Sequence, residues 1–316
     1  MIWQITGDRI GDSWLLIWHE TCVSFPGLEL AMARSGELCG AVFFRHLEKT
    51  GGTSVKRLFR QRSSFTIIDA VEFTEHRWAD RLIHNESFAA LHPRIYVEFH
   101  SPSYRHGVFF LDLLPKLPRI RAVLARRNCV ALAFTVLREP VSQILSDYLA
   151  FYEHRNHSPS SILAWSRLNA DVQVRRLVMR ANLPDGLLMN AAQDVLNSLD
   201  MVGITEHLDE FLRTLCFRYS IGHCRMYHHA APPRDHAAVS VVEQVARNAS
   251  LRAILGQSSR VTLELYWAWR AKWELKQCSW SGRETRPTVG ALQQRSHWRW
   301  KTWPNHAFQC NSTGLD

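Results

Sequence analysis

Five apolar runs punctuate the chain: "AVFFRHL" (41–47), "SFTIID" (64–69), "RIYVEFH" (94–100), "VALAFTVL" (130–137) and "MVGIT" (201–205). Because they are continuous rather than alternating, they predict strands buried on both faces, as parallel strands are. Between them the period changes. In "VSQILSDYLAFY", Val141, Ile144, Leu145, Tyr148, Leu149 and Tyr152 recur at helical spacing, the apolar stripe of an amphipathic helix. Val55, Leu58 and Phe59 begin a similar stripe, and residues 160–200 read as helical. "EHLDEFLRTLCFRY" (206–219) sets Leu208, Phe211, Leu212 and Leu215 on one side, and "VTLELYWAWRAKWELKQ" (261–277) makes a last strong helix. Strands alternating with helices predict an α/β protein with a central parallel sheet flanked by helices. Ligands in such sheets sit beyond the carboxyl ends of the strands.

Three organisational units follow. Residues 1–40 have no clear period and read as an irregular leader, 41–277 hold the alternating elements, and 278–316 form a basic tail with Trp280, Trp298, Trp300 and Trp303 among arginines and lysines. The prolines of "HHAAPPRDH" (228–236) mark a loop. No apolar run reaches the 18 residues of a membrane span. "SWLLIWHETCVSF" is interrupted by His19 and Glu20 and lacks signal-peptide flanks. Membrane association is therefore expected only through an anchor missing from this chain.

Composition adds less. At 316 residues, 46% hydrophobic and 21% charged, the chain suits an ordinary globular protein with one large core or two modest ones. A formal net charge of +9 points to anionic partners: nucleic acid, acidic lipid, a phosphorylated cofactor or a sulfated polymer. The seven cysteines (22, 39, 129, 216, 224, 278, 310) show no C-x-x-C pair and no zinc-finger spacing, and an odd count leaves at least one without an intrachain partner. Cys216 and Cys224 could form a local disulfide in an oxidising compartment or stay as two buried thiols. Sequons at Asn85, Asn156, Asn248 and Asn311 suit a lumenal glycoprotein.

Candidate chemistry concentrates in "FFRHLEKTGGTSVKRLF" (43–59), where a strand runs through Glu48, Lys49, Thr50, Gly51, Gly52, Thr53 and Ser54 into a helix. A helix start offers unpaired N–H groups and a positive dipole end, and glycines let the backbone approach an anion. Lys49 adds a full charge, and Thr53 and Ser54 add hydroxyls. The P-loop of nucleoside triphosphatases puts its lysine after the glycines; here it precedes them, which suits a group leaving from the 5′ end of a nucleotide. In "FTVLREPVSQILSDYLAFY" (134–152), a buried strand delivers Arg138, Pro140 opens a helix, and Ser146 falls in its second turn. A guanidinium fork and a helix hydroxyl can hold a phosphate.

Together the two stretches resemble the sulfotransferases that use 3′-phosphoadenosine 5′-phosphosulfate (PAPS), in particular the membrane-bound carbohydrate group that includes heparan-sulfate-type enzymes. Lys49 to Ser54 match that family's 5′-phosphosulfate loop, P-K-T-G-G-T-S, with Glu48 in place of the proline. Arg138, Glu139, Pro140 and Ser146 match its 3′-phosphate motif, R-[DE]-P followed by a serine eight residues after the arginine. "VGITEHLDEFL" (202–212) and "LELYWAW" (263–269) resemble two further family segments, so the likeness runs from about 41 to 272. It implies a three-layer, P-loop-like sulfotransferase fold, PAPS as donor with no metal, transfer of a sulfuryl group to a hydroxyl acceptor, most of all an acidic glycan, and a Golgi setting. It also implies that Lys49 stabilises the leaving group.

An acceptor hydroxyl needs a base. "YVEFHSP" (96–102) ends a strand on the same sheet edge, with Glu98 and His100 on one face by the period of two. The resemblance places a histidine or glutamate base in this region, and His100, with an ordinary pKa near working pH, is favoured over Glu98. His223, Cys224, His228, His229 and His236 fit no zinc template. Two other functions compete. A nucleic-acid-binding protein would use the charge and the Trp/Arg mixture at 280–303 but leaves the paired motifs unexplained. A nucleotide kinase would want a lysine after the glycines and an acidic magnesium ligand.

Overall fold

The computed structural model describes residues 7–10, 13–16, 39–61, 64–69, 80, 83–84, 93–100, 109, 113–151, 158–179, 183–219, 221 and 236–280. Residues 1–36 and 37–316 are separate compact units. In the first, β1 (Gly7–Ile10) and β2 (Ser13–Leu16) pair as an antiparallel hairpin, inside the stretch whose sequence shows no period.

In the second unit the five apolar runs are the five strands of one parallel sheet. These are β3 (Gly40–His46), β4 (Thr66–Asp69), β5 (Arg94–His100), β6 (Val130–Leu137) and β7 (Met201–Ile204), in the order β4-β5-β3-β6-β7. Burial explains the continuous apolarity: Ala41 to Phe44 of β3, Ile95 to Val97 of β5 and Ala131 to Phe134 of β6 are all buried. Within this sheet the chain starts at the central strand β3, crosses to the edge strand β4, returns to insert β5 between them, and then crosses to the other side of β3 to add β6 and β7. The crevice between the ends of β3 and β6 is thus the switch point, where doubly wound sheets bind ligands.

Helices cover the sheet. α1 (Gly52–Arg60) follows β3 and buries Val55, Leu58 and Phe59. α2 (Leu114–Ala125) precedes β6 and α3 (Pro140–Phe151) follows it. The helical region at 160–200 divides into α4 (Pro159–Leu168), α5 (Val172–Val178) and α6 (Asp185–Ser198). Two left-handed residues bracket α5: Asp171 at φ 51° and Met179 at φ 56°. After β7 come a 3₁₀ turn (Thr205–His207), α7 (Leu208–Arg218), α8 (His236–Arg247), α9 (Ala249–Ser258) and α10 (Arg260–Trp280). The α3 stripe of Val141, Ile144, Leu145 and Tyr148 joins Ile162, Val245 and Leu255 in a small second core. Among the described residues no helix is long and apolar enough to cross a membrane.

Cys39 and Cys129, 90 residues apart, form a disulfide. They immediately precede β3 and β6, so the bridge staples the amino-terminal edge of the two central strands, opposite the crevice. Cys216 is also disulfide-bonded; Cys224 lies outside the described residues, as do Asn85, Asn156, Asn311 and the tail beyond 280. Asn248 caps α9, its side-chain carbonyl accepting the Leu251 N–H at 3.0 Å.

Candidate functional site

The turn from β3 into α1 is tight. Lys49 takes the left-handed conformation at φ 61° and Gly51 follows at φ 89°, a region that disfavours side chains. Space constrains both glycines as well. A Cβ on Gly51 would stand 2.8 Å from Leu208 Cδ2, and one on Gly52 would stand 1.8 Å from His46 Nε2. The Ser54 and Val55 N–H groups donate to Gly51 O at 3.0 and 3.3 Å, so α1 begins at once and the N–H groups of Gly52 and Thr53 fall in the first turn, where helices leave them without an intrahelical acceptor. No side chain caps this end. Thr53 is exposed and Ser54 half-buried, which leaves their hydroxyls at the open end. Thr50 is different: fully buried, it donates its hydroxyl to Leu47 O at 2.7 Å, and only its main chain faces the turn.

The loop after β6 is bonded directly to this turn. Arg138 donates from Nη1 to Lys49 O at 2.8 Å. Thr205, at the end of β7, shares its hydroxyl proton between Thr50 O at 2.9 Å and Leu137 O at 3.0 Å. Burial draws the Arg138 guanidinium below its ordinary value, against the pull of Glu206 and Glu139. The start of α3 is already capped, since Glu139 accepts from the Val141 N–H at 3.2 Å, from the Ser142 N–H at 2.7 Å and from the Ser142 hydroxyl at 2.7 Å. An anion near α3 would therefore rely on Arg138 and on Ser146, which is half-buried one turn further on, more than on the helix end. Lys49 and Arg138 both act electrostatically on Asp147, beside Ser146. The structure thus brings Lys49, Gly51, Gly52, Thr53, Ser54 and Arg138 together at the ends of β3 and β6, with Ser146 next to Asp147 on α3.

On the other flank of β3, parallel register sets His46 opposite His100 and Phe44 opposite Glu98. His46 Nδ1–H donates to Glu98 Oε1 at 2.6 Å, and Lys56 Nζ lies 3.0 Å from Glu98 Oε2. Burial pushes the Glu98 carboxyl up, but the hydrogen bond and charge from His46, with Lys56, outweigh it and hold the group below its usual range. With both oxygens engaged, Glu98 is built to orient its neighbours. His100 lies beside His46 with ring centroids 4.4 Å apart. Its imidazole is pushed down to about 4, first by burial and then by His46, so it is neutral at neutral pH but a weaker base than an ordinary imidazole, and the expectation of a pKa near working pH does not hold in the fold.

Sequence reasoning missed several residues of this neighbourhood. His46 ends a strand and carries no motif signal of its own; its closeness to Gly52 exists only after folding. Lys56 lies one helical turn past Gly52, a position that the start of α1 fixes. Gln173 and Arg176 come from a distant segment with no signature, and Thr205, although inside the 202–212 stretch, is given no role by it. Among the described residues no group of histidines, cysteines and carboxylates could hold a metal; His223, Cys224, His228 and His229 lie outside them.

No protein-family model matches the chain, and no curated protein matches it. Among solved structures, it is similar to a sulfotransferase from Alicyclobacillus acidocaldarius at 14% identity and a TM-score of 0.33, over 69% of this chain and 94% of that one. A likeness at that score assigns no activity, so function has to be argued from the site itself.

Proposed function

We propose that this protein is a sulfotransferase that takes its sulfuryl group from PAPS and passes it to a hydroxyl of an acceptor, foremost an acidic carbohydrate. One observation carries the reading: the 2.8 Å bond from Arg138 to the Lys49 carbonyl, which joins the two sequence motifs at the carboxyl ends of adjacent central strands. A nucleotide with a phosphosulfate on its 5′ side and a phosphate on its 3′ side needs two neighbouring anion sites of different build. The first is a helix start whose glycines have no room for a Cβ. The second is a half-buried guanidinium with a helix hydroxyl.

In this reading the Gly52 and Thr53 N–H groups, with the hydroxyls of Thr53 and Ser54, hold the 5′ side, and Arg138 and Ser146 hold the 3′ phosphate. When bound, the donor supplies a sulfuryl group on a phosphate leaving group. Lys49 places a cation where leaving-group charge develops, the kind of electrostatic stabilisation that does most of the work in related transfers. Lys49 and Arg138 supply the countercharge, so no metal is called for. His100 accepts the acceptor's proton at a ring nitrogen, while Glu98 holds His46 and Lys56 in place beside it. The net charge of +9 suits an acidic glycan, and the Cys39–Cys129 disulfide with the sequons suits an oxidising lumen such as the Golgi.

The test is thermal stabilisation in EDTA by 3′-phosphoadenosine 5′-phosphate (PAP), the donor without its sulfuryl group. At 100 times its dissociation constant PAP should add about 2.7 kcal/mol of stability, with ATP–magnesium and single-stranded DNA, each in buffer without EDTA, adding far less. Stabilisation by ATP–magnesium alone would favour a kinase, by DNA alone a nucleic-acid binder; either overturns the assignment.

A further inference from the structure

The short helix α5 belongs to neither motif, and beside the Val174, Leu177 and Val178 that it gives to the core it carries two polar residues that face the site. Gln173 and Arg176, three residues apart and so on one face, reach both halves of the crevice. Gln173, 1% exposed, accepts the Arg138 N–H at 2.8 Å and donates to the Arg138 carbonyl at 2.9 Å and to Gln143 Oε1 at 3.2 Å. Gln143 in turn donates to the Glu48 carbonyl at 3.1 Å. Arg176 Nη1 pairs with Glu48 Oε2 at 2.5 Å and with Asp147 Oδ2 at 3.3 Å. Glu48 is the neighbour of Lys49, and Asp147 the neighbour of Ser146. From behind, the fully buried Arg45 donates to Arg176 O at 2.5 Å and to Phe99 O at 3.0 Å. Asp171, just before α5, accepts the Thr262 N–H at 2.7 Å and ties the helix to the start of α10.

Burying such a charge network is a poor way to gain stability, because well-packed apolar residues in its place are often neutral or better. Its value lies in what it positions. Burial raises the carboxyls of Glu48 and Asp147, and Arg176 counters that for both; the two acids are thereby held to one cation. Resting on the sulfotransferase reading, we propose that α5 is a spacing strut: Gln173 and Arg176 are positioning residues that fix the separation between the Lys49–Ser54 loop and the Arg138/Ser146 site, so that a nucleotide with anions at both ends is gripped at both ends together. Glu48, which replaces the proline of the resembling family, is the loop's attachment to that strut. Where proline would stiffen the turn through its own ring, this chain fixes it through a paired carboxylate.

Affinity for a two-ended ligand depends on spacing, whereas affinity for either end alone does not. Isothermal titration in EDTA of PAP, 5′-AMP and 3′-AMP separates the two. Wild-type protein should bind PAP about 100-fold more tightly than either monophosphate, and Arg176→Lys and Gln173→Met should each cut that advantage about 10-fold while both monophosphates stay within about 3-fold of wild type. Lysine keeps the charge but gives up the planar fork. Should a single variant fail to fold, the triple variant Arg176→Met, Glu48→Gln, Asp147→Asn removes the charges together and is read in the same way. Equal weakening of all three ligands, or an undiminished advantage for PAP, overturns the strut. A wild-type protein that does not prefer PAP at all overturns the sulfotransferase reading beneath it.

Discussion

Replacing Gly52 by alanine tests the joint between the anion turn and the histidine flank, and the sign of the effect decides. At an unconstrained helix start, glycine to alanine stabilises by about 0.4–1 kcal/mol, because the unfolded chain loses freedom. Here the new Cβ would lie 1.8 Å from His46 Nε2, 2.1 Å from Cδ2 and 2.3 Å from Cε1, so the whole ring edge must withdraw. The ring is held by the 2.6 Å bond to Glu98 and packed between Phe44 and His100. Losing a hydrogen bond to a buried carboxylate costs about 1.5–3 kcal/mol. Set against the alanine gain, the net destabilisation is about 1–2 kcal/mol, or roughly 3–6 °C in Tm for a domain of this size. Calorimetry on wild type, Gly52→Ala, Glu98→Gln and the double variant measures it. In the Glu98→Gln background the alanine should cost about 1 kcal/mol less, since the bond it disrupts is already weakened. A Tm that rises in Gly52→Ala would refute the reasoning, and full additivity in the double variant would show that the Glu98 bond is not what the methyl disturbs.

Arg138→Ala should weaken PAP binding by about 2–3 kcal/mol, the scale of a charge-assisted pair, and equal wild-type affinity for PAP and 5′-AMP would remove the 3′-phosphate role. His100 titrates near 4 when folded and near 6.5 when unfolded, so the unfolded chain takes up more protons between those values and stability falls as pH drops through that window. Discounted for partial exposure, the loss is about 1–2 kcal/mol; denaturant melts at pH 7 and 4.5 should show it shrink by that amount in His100→Gln, and an unchanged loss contradicts the shift. As the proposed base, His100 should also give turnover roughly 10²–10⁴-fold above that of His100→Ala with PAP binding nearly intact; a dead Glu98→Gln beside an active His100→Ala would move the base to Glu98. Removing the Cys39–Cys129 bridge by Cys129→Ala should cost about 3–4 kcal/mol, because it closes a 90-residue loop, and a Tm within 1–2 °C of wild type would show the bridge to be slack.

The sheet was legible because its central strands are buried on both faces: "VALAFTVL" carries one polar residue, Thr135, and no helical alternation, and Val130–Leu137 is β6. α3 was legible for the opposite reason, since Ile144 and Tyr148 pack into a separate small core and leave a clean stripe. α2 is not among the predicted elements: its Pro115 and Pro118 weaken a helical pattern, although Leu117, Ile120 and Leu124 are buried at helical spacing. The break around α5 depends on left-handed Asp171 and Met179, which are not glycines and so leave no mark in the letters. At the site, the two proposed anion motifs consist of residues close together in the sequence, so the letters alone could propose them, and the Arg138–Lys49 bond shows that the two segments meet in the fold. His46, Gln173, Arg176 and Thr205 act across sequence separations of 35 to 155 residues, and pairing of that kind is a product of the fold. The Cys39–Cys129 bridge went unseen for the same reason, because two cysteines 90 residues apart become neighbours only once β3 and β6 lie side by side.

The most direct test is transfer itself. Protein in EDTA would be incubated with PAPS carrying a labelled sulfuryl group and, in separate reactions, an acidic glycan, a neutral glycan and a tyrosine peptide. The account predicts label on a glycan hydroxyl, most of all on the acidic glycan, with stoichiometric release of PAP and loss of both in Lys49→Ala, whose missing cation leaves the departing phosphate oxygen unneutralised. If wild-type protein moves no label to any acceptor, or if Lys49→Ala moves it as fast as wild type, the crevice between β3 and β6 is not a sulfuryl-transfer site.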